Sequence, residues 1–194
     1  MHNVAAYYPN IARVHKLGYS HENRPIEMLQ IGYPIDKTDK KAVFIDAGMH
    51  AREWASHSTA VYFIYKLVSS LDTRPELRKY INNLTWYIVP AVNPDGYEYT
   101  RNSTRPEVDL NRNFNFFWGE YGSSKFPCHE TYAGRSQFSE PETKAISKFL
   151  YEHRHNIKAY ITMHTYSQLW IHSYSHMVRT YPPDLKELVS KYHE

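Results

Sequence analysis

The sequence predicts an α/β fold in which a mixed central sheet carries helices on both faces, a three-layer α/β/α arrangement. The apolar run Ala42–Ala47 is typical of a strand that is buried on both sides. The next segment, Trp54–Ser69, has apolar residues at the spacing of an amphipathic helix. Further apolar runs, Leu84–Val89 and Ile157–Met163, alternate with helical stretches. Because strands that alternate with helices form parallel or mixed sheets, we expect helices to cover both faces.

The first half of the chain contains one further strand signal. Ile26–Ile31 is mostly apolar and follows a turn at His21–Asn23, so it is predicted to be the first strand. Leu84–Val89 is the third strand, and it ends at Pro90. The segment Asn93–Gly96 predicts a turn, because it combines Asn, Pro, Asp and Gly.

The second half begins with an aromatic, turn-rich stretch, Asn113–Phe138, which is predicted to be a long loop. A helix then opens, with Ser139 as its cap and Glu142 completing a capping box. Ile157–Met163 is predicted to be a fourth strand in the centre of the sheet. After a turn, Asp184–His193 has a helical pattern.

Composition excludes several classes of protein. The chain has 194 residues, of which 42% are hydrophobic and 15% are aromatic, which suits one folded domain. The formal charge is only +3, and we expect the charged run Asp36–Lys41 to be a solvated loop, not a nucleic-acid site. No apolar stretch approaches the length of a membrane span, so we expect no membrane partner. The single cysteine, Cys128, leaves the redox compartment open.

A histidine and a glutamate three residues apart, His50 and Glu53, follow the buried strand Ala42–Ala47. Ligand sites in α/β sheets tend to form at the carboxyl ends of strands. His164 also follows an apolar strand, so two strand ends could bring three metal ligands together. Two histidines and a glutamate are a recognised catalytic zinc set that leaves a position open for water. The alternative is that these are ordinary loop and core histidines, since the chain has 12 of them.

Four motifs then occur in order along nearly the whole chain, at Met49–Trp54, Asn93–Gly96, Asp109–Phe114 and Met163–Gln168. Together they resemble the zinc metallocarboxypeptidases of the carboxypeptidase A type, the peptidase M14 family. The resemblance implies one Zn²⁺ ion, with His50, Glu53 and His164 matching the family's ligands. It also implies removal of the C-terminal residue from peptides. We therefore expect a secreted protein whose partners are peptides or proteins with a free C-terminus.

The resemblance also implies residues that bind the substrate. Asn111 and Arg112 match the family's residues for the terminal carboxylate, which suits the two-pronged geometry of a guanidinium group. Without the resemblance, this pair would be interpreted as a solvated surface pair. Arg52 matches an arginine that lines the substrate cleft, and Tyr166 matches a cleft tyrosine. In the family the peptide bond before that tyrosine is cis, which here is Thr165–Tyr166.

Some parts of the family's active site find no match in the sequence. Neither Arg101 nor Arg105 can be matched to the arginine that stabilises the developing oxyanion. Cys128 matches one half of a family disulfide, and the chain holds no second cysteine. The glutamate that acts as general base is also not found, and neither Glu187 nor Glu194 is assigned to that role. The sequence therefore predicts metal ligands and a substrate anchor without a catalytic base.

The expected domain organisation is one partial peptidase catalytic domain over residues 1–194, truncated at both ends and without signal peptide or propeptide. We expect this chain to be a monomer and to be inactive as a peptidase. An alternative from another class is a non-catalytic binding module that captures peptide C-termini through Asn111 and Arg112. A third interpretation is a cytosolic amidohydrolase on a related scaffold.

Overall fold

A five-stranded mixed sheet forms the centre of the protein, in a computed structural model that describes residues 1–71, 73–102, 108–174 and 181–186. Its strands are β1 (Ala12–Tyr19), β2 (Pro25–Ile31), β3 (Lys41–Ala47), β4 (Leu84–Val89) and β5 (Ile157–Met163). They lie in the order β1-β2-β4-β3-β5. β2 is antiparallel to both β1 and β4, whereas β3 runs parallel to β4 and β5.

Helices cover both faces of this sheet, as predicted. They are α1 (His2–Tyr7), α2 (Trp54–Ser69), α3 (Arg78–Asn83), α4 (Pro94–Asn102) and α5 (Pro141–Glu152), with 3-10 turns at Pro75–Leu77 and Leu110–Arg112. The apolar side of α2 packs on one face of the sheet. Residues of α5 pack on the other face. The mixed sheet and its two helical layers therefore confirm the predicted fold class.

The sequence of the central strand β3 is apolar without alternation because both faces of the sheet are covered at this strand. Ile45 and Ala47 belong to the core on the α2 side, and Phe44 belongs to the core on the α5 side. All three are 0–2% exposed. Successive side chains of a strand point to opposite faces, so a strand that is covered on both faces buries apolar residues on both, and Asp46 is the buried polar exception in β3. The bounds of α2, β4 and β5 agree with the prediction, since each has a strong apolar pattern.

The chain bends sharply between β3 and α2, at Gly48. The φ angle of Gly48 is 71°, and a Cβ atom at this position would overlap the ring of His57. His57 in turn is held by a hydrogen bond from its Nδ1 to the Pro90 carbonyl oxygen (2.9 Å). Glycine is the residue that tolerates both the positive φ and the close approach. This bend carries the chain from the end of β3 to His50.

Strand β1 was not predicted from the sequence. It pairs with β2 along its length, but the register shifts between Lys16 and Gly18. A bulge of this kind changes which face the following side chains occupy. Val14 packs with the core on the α2 side, and Leu17, three residues later, packs with the core on the α5 side, as regular strand alternation requires. The apolar residues of β1 therefore lie on both faces of the sheet, and no simple apolar alternation marks this strand in the sequence.

Two helix starts also differ from the predictions. The predicted turn at Asn93–Gly96 opens α4, because the asparagine side chain accepts a hydrogen bond from the glycine N–H (2.7 Å). Ser139 does not cap α5, since its hydroxyl oxygen accepts a hydrogen bond from the Asn113 side chain (2.9 Å). The buried Asn113 instead accepts the N–H of Glu140, the residue that precedes α5 (3.2 Å). A side chain from the preceding loop therefore occupies the helix start.

The second half of the chain otherwise follows the prediction, with one exception in the sheet. The stretch Asn113–Phe138 is a loop with a single β-bridge, between Ser124 and Tyr132. β5 was predicted to be central, but it lies at the edge of the described sheet. Most of the predicted helix Asp184–His193 lies outside the described residues. Within the described ranges, no helix combines the length and the apolar character that a membrane crossing needs.

The charged segment Asp36–Lys41 is not uniformly solvated, because Lys40 is only 7% exposed. Its Nζ atom donates to the carbonyl oxygens of Tyr33 (3.1 Å), Ile81 (3.0 Å) and Leu84 (3.2 Å). Burial lowers the pKa of Lys40. The three carbonyl groups offset that burial, and they connect the end of α3, the start of β4 and the loop after β2.

Replacing Lys40 should destabilise the fold. Lys40→Met removes the donor shared by three carbonyl groups, and we expect it to lower the free energy of unfolding by about 2 kcal/mol. Lys41→Met is the matched control, because the neighbouring Lys41 is exposed. Urea unfolding followed by circular dichroism would measure both variants. Equal stabilities of the two variants would contradict a structural role for Lys40.

Candidate metal centre

Three candidate metal ligands meet where β3 and β5 end. The two strands are parallel neighbours, and Ala47 of β3 pairs with Met163 of β5. His164 follows β5 directly, and His50 follows the bend after β3. Glu53 immediately precedes α2. The ligand atoms of these three residues all lie within 4.8 Å of one another.

The Glu53 carboxylate lies between the two imidazole rings. Its Oε1 is 3.0 Å from His50 Nδ1, and its Oε2 is 3.0 Å from His164 Nδ1. Oε2 also accepts a hydrogen bond from the Thr165 N–H (3.0 Å). Glu53 occupies the cap position of α2, yet its side chain makes no capping hydrogen bond. The geometry therefore directs this carboxylate to the histidines and not to its own helix.

A second carboxylate fixes the outer side of the His50 ring. His50 Nε2 lies 2.9 Å from Asp109 Oδ1, and the same oxygen accepts the backbone N–H of Asn111 (2.9 Å). The hydrogen bond to Asp109 raises the pKa of His50, with a smaller contribution from Glu53, against the effect of burial. When Nε2 donates to Asp109, the lone pair of Nδ1 faces Glu53 and is available to a metal.

The donor set suits zinc. Two imidazole nitrogens and one carboxylate are the His₂Glu combination of catalytic zinc sites. The hydrogen bond from His50 to a carboxylate is the support that ligand histidines usually have. The three side chains could therefore hold a zinc ion.

The residues that were predicted to bind the substrate differ in how far their side chains are exposed to solvent. Asn111 and Arg112 lie in the 3-10 turn that Asp109 connects to His50. Arg112 Nε donates to the Gly122 carbonyl oxygen (2.9 Å), which holds the guanidinium against the loop. Arg52 is exposed, and its Nη1 lies 3.6 Å from Glu130 Oε1. The roles of these residues toward a substrate stay predictions.

Tyr166 is 93% exposed and follows the Glu53-bound Thr165. The peptide bond Thr165–Tyr166 is cis, as expected. Arg101 is exposed and forms an ion pair with Glu98 (3.3 Å), whereas Arg105 lies outside the described residues. Glu187 and Glu194 also lie outside them. Cys128 is an exposed free thiol.

Comparison with known proteins identifies the family. The model of the zinc carboxypeptidases, peptidase M14, matches residues 1–193. This chain belongs to that family. Carboxypeptidase B of Astacus astacus is 37% identical over 201 residues, which cover 96% of this chain and 64% of that protein. Carboxypeptidase A6 of Mus musculus is 35% identical over 196 residues, which cover 94% of this chain and 44% of that protein.

Solved structures give the same assignment. The crystal structure of carboxypeptidase A from Helicoverpa armigera matches with a TM-score of 0.87 and 31% identity, over 96% of this chain and 48% of that chain. The structure of thrombin activatable fibrinolysis inhibitor matches with a TM-score of 0.86 and 33% identity, over 98% of this chain and 51% of that chain. This chain therefore spans about half the length of each of these two carboxypeptidase-family structures.

Sequence reasoning missed three residues around the metal centre. Asp109 was part of a family motif, but its contact with His50 was not predicted. Asp46 and Thr162 also lie beside the cluster, and they hydrogen-bond to each other (2.7 Å). The one available signal was a charged residue, Asp46, within an otherwise apolar strand. Buried carboxylates need hydrogen-bond partners, so such a residue points to a polar network.

Substituting Asp109 should weaken metal binding. Asp109→Asn removes the charged acceptor of His50 Nε2, and we expect the affinity for Zn²⁺ to fall by about tenfold or more at alkaline pH. Affinity should also fall as pH falls, because a ligand histidine must lose its proton. Since Asp109 raises the pKa of His50, the variant should move this fall to lower pH.

Competition with a chromogenic zinc chelator across a pH series would measure both effects. Asp39→Asn is a control, because Asp39 lies in the exposed part of the charged loop. If Asp109→Asn bound zinc with wild-type affinity and an unchanged pH midpoint, the role assigned to Asp109 would be wrong.

Proposed function

We propose that this chain forms the metal-binding and C-terminus-recognising part of a secreted zinc carboxypeptidase. The observation that carries the proposal is the contact of Asp109 Oδ1 with both His50 Nε2 and the Asn111 N–H. This one oxygen connects the candidate metal ligands to the segment that carries Arg112. A metal site beside an arginine that can bind a carboxylate is what removal of a C-terminal residue requires.

One Zn²⁺ ion would be held by His50, Glu53 and His164. Such an ion, when bound, supplies polarisation of a carbonyl oxygen and of a bound water molecule. The chain's own residues orient the donors. Asp109 keeps the proton of His50 on Nε2, and the Thr165 N–H fixes one oxygen of Glu53.

Arg112 is suited to bind the terminal carboxylate of a peptide. Two of its nitrogens are held by backbone oxygens, with Nε bonded to Gly122 (2.9 Å) and Nη1 to Asn111 (3.4 Å). In the described part of the chain, Nη2 makes no hydrogen bond, so a donor remains for a substrate. A guanidinium that is already oriented loses less conformational freedom on binding. We assign Asn111, Arg52 and Tyr166 to the surrounding peptide-binding surface.

We do not assign a general base. Among the described residues, the carboxylates in contact with the histidine cluster are already engaged. Glu53 is a candidate ligand, and Asp109 is hydrogen-bonded to His50. We therefore propose that this chain has little peptidase activity by itself. We also propose that it is a single, monomeric catalytic domain.

The alternative is a binding module for peptide C-termini that does not catalyse hydrolysis. The fixed guanidinium of Arg112, next to a cluster whose carboxylates are engaged, is the observation that favours it. The two functions share the same ligand and differ in whether the C-terminal residue is released. Binding and hydrolysis therefore have to be measured separately.

Binding should depend on the free C-terminus and on Arg112. We expect amidation of a fluorescent peptide to weaken its affinity for the zinc-loaded chain by about tenfold, the size of one charge-assisted hydrogen bond. Arg112→Met should cause a similar loss for the free acid and no further loss for the amide. Arg13→Met is the control, because Arg13 lies on β1, at the edge of the sheet opposite to β5 and the candidate metal ligands. Fluorescence anisotropy with peptides ending in leucine, phenylalanine or lysine would measure these affinities.

Equal binding of acid and amide would contradict recognition of the C-terminus. Hydrolysis is followed by the release of free amino acid from the same peptides, and we expect almost none from this chain. Release that is abolished by a chelator and by Glu53→Ala would overturn the proposed lack of activity and exclude the binding module.

A further inference from the structure

Asp46 is a buried carboxylate that the proposed function does not use. It lies in β3, is 0% exposed, and both of its oxygens accept hydrogen bonds from β5. The Tyr160 hydroxyl donates to Oδ2 (2.6 Å), and the Thr162 hydroxyl donates to Oδ1 (2.7 Å). Burial raises the pKa of Asp46, and the two hydroxyl groups oppose that effect. A carboxylate at this depth is costly unless its partners are well placed, so the arrangement needs an explanation.

Thr162 connects this carboxylate to a candidate metal ligand. Its Oγ1 lies 3.4 Å from His164 Nε2, the ring nitrogen on the side away from Glu53. The Thr162 hydroxyl proton is already donated to Asp46, so its oxygen can only accept from His164. Nε2 of His164 must then carry a proton, which leaves the lone pair on Nδ1. Nδ1 is the nitrogen that faces Glu53.

We propose that Thr162 and Asp46 are positioning residues that hold His164 with its Nδ1 lone pair toward the metal. This inference rests on the proposed zinc site. His50 is held in the same way, with the difference that Asp109 contacts it directly. The hydrogen bonds run in one direction, from His164 Nε2 to Thr162 Oγ1 and from the Thr162 hydroxyl to Asp46 Oδ1. Each candidate ligand histidine is thus oriented by a carboxylate on the side of the ring away from Glu53, directly for His50 and through Thr162 for His164.

The sheet register makes this network possible and supplies a control. Asp46 of β3 is the register partner of Thr162 of β5, so the two side chains lie side by side on one face. Tyr160 lies two residues earlier on the same face and hydrogen-bonds the other oxygen of Asp46. Tyr160→Phe therefore removes one hydrogen bond from Asp46 without interrupting the connection to His164.

The test compares three variants of the 194-residue chain by titration with Zn²⁺ against a chromogenic chelator. Thr162→Val removes the hydroxyl group at nearly constant shape, and we expect the affinity for Zn²⁺ to fall by about tenfold. Thr162→Ser restores the hydroxyl group and should restore the wild-type affinity. Tyr160→Phe should also bind Zn²⁺ with wild-type affinity.

Two further measurements separate positioning from stability. The visible absorption of the Co²⁺-substituted protein reports ligand geometry, and it should change in Thr162→Val and not in Tyr160→Phe. The thermal midpoint of the metal-free protein should fall similarly in both variants, since each loses one hydrogen bond to Asp46.

Three results would overturn the inference. One is wild-type affinity and spectrum in Thr162→Val, and another is an equal loss of affinity in Tyr160→Phe. In both of these cases the metal site itself would stand. The third is a wild-type chain that binds Zn²⁺ no better than His50→Ala, which would overturn the proposed zinc site together with this inference.

Discussion

The parallel pairing of β3 with β5 is the constraint on which the rest of the site depends. Asp46 pairs with Thr162 and Ala47 with Met163, so the two strands end at the same level. A shift of one residue would turn every side chain of β5 to the other face of the sheet. Such a shift would move His164 away from Glu53 and Thr162 away from Asp46. The packing of Phe44 and its neighbours on both faces therefore stabilises the geometry of the metal centre as well as the fold.

Hydrogen bonds to carboxylates provide the next level of organisation. Glu53 lies between the two rings, and Asp109 contacts the outer nitrogen of His50. Because Asp109 also holds the Asn111 backbone, the candidate metal ligands and the candidate substrate anchor share one structural support. Interactions between charged groups are strong where water is largely excluded, but only if each partner is correctly placed. The site is therefore a connected network, and a change at one member should affect the others.

Local sequence patterns predicted the elements that have a clear period, and they failed where distant side chains intervene. β1 was missed because its apolar residues contact both cores, Val14 on the α2 side and Leu17 on the α5 side, so they show no simple alternation. The Ser139 cap was wrong because Asn113, 26 residues earlier, occupies the helix start. Lys40 was expected in solvent, but it binds carbonyl oxygens of residues far along the chain. In each case the contact that determines the structure is made with residues that are distant in the sequence, which a local pattern does not include.

The sequence alone determined the fold class, the bounds of α2, β4 and β5, the family and the three candidate metal ligands. These follow from apolar periodicity and from motifs whose residues are close together in the chain. Only the tertiary structure decided what supports the ligands. Asp109 lies 59 residues from His50, and Thr162 lies 116 residues from Asp46. Periodicity states which face of a strand a side chain occupies, but which side chain lies opposite depends on strand order and register, which arise only when the whole sheet has formed.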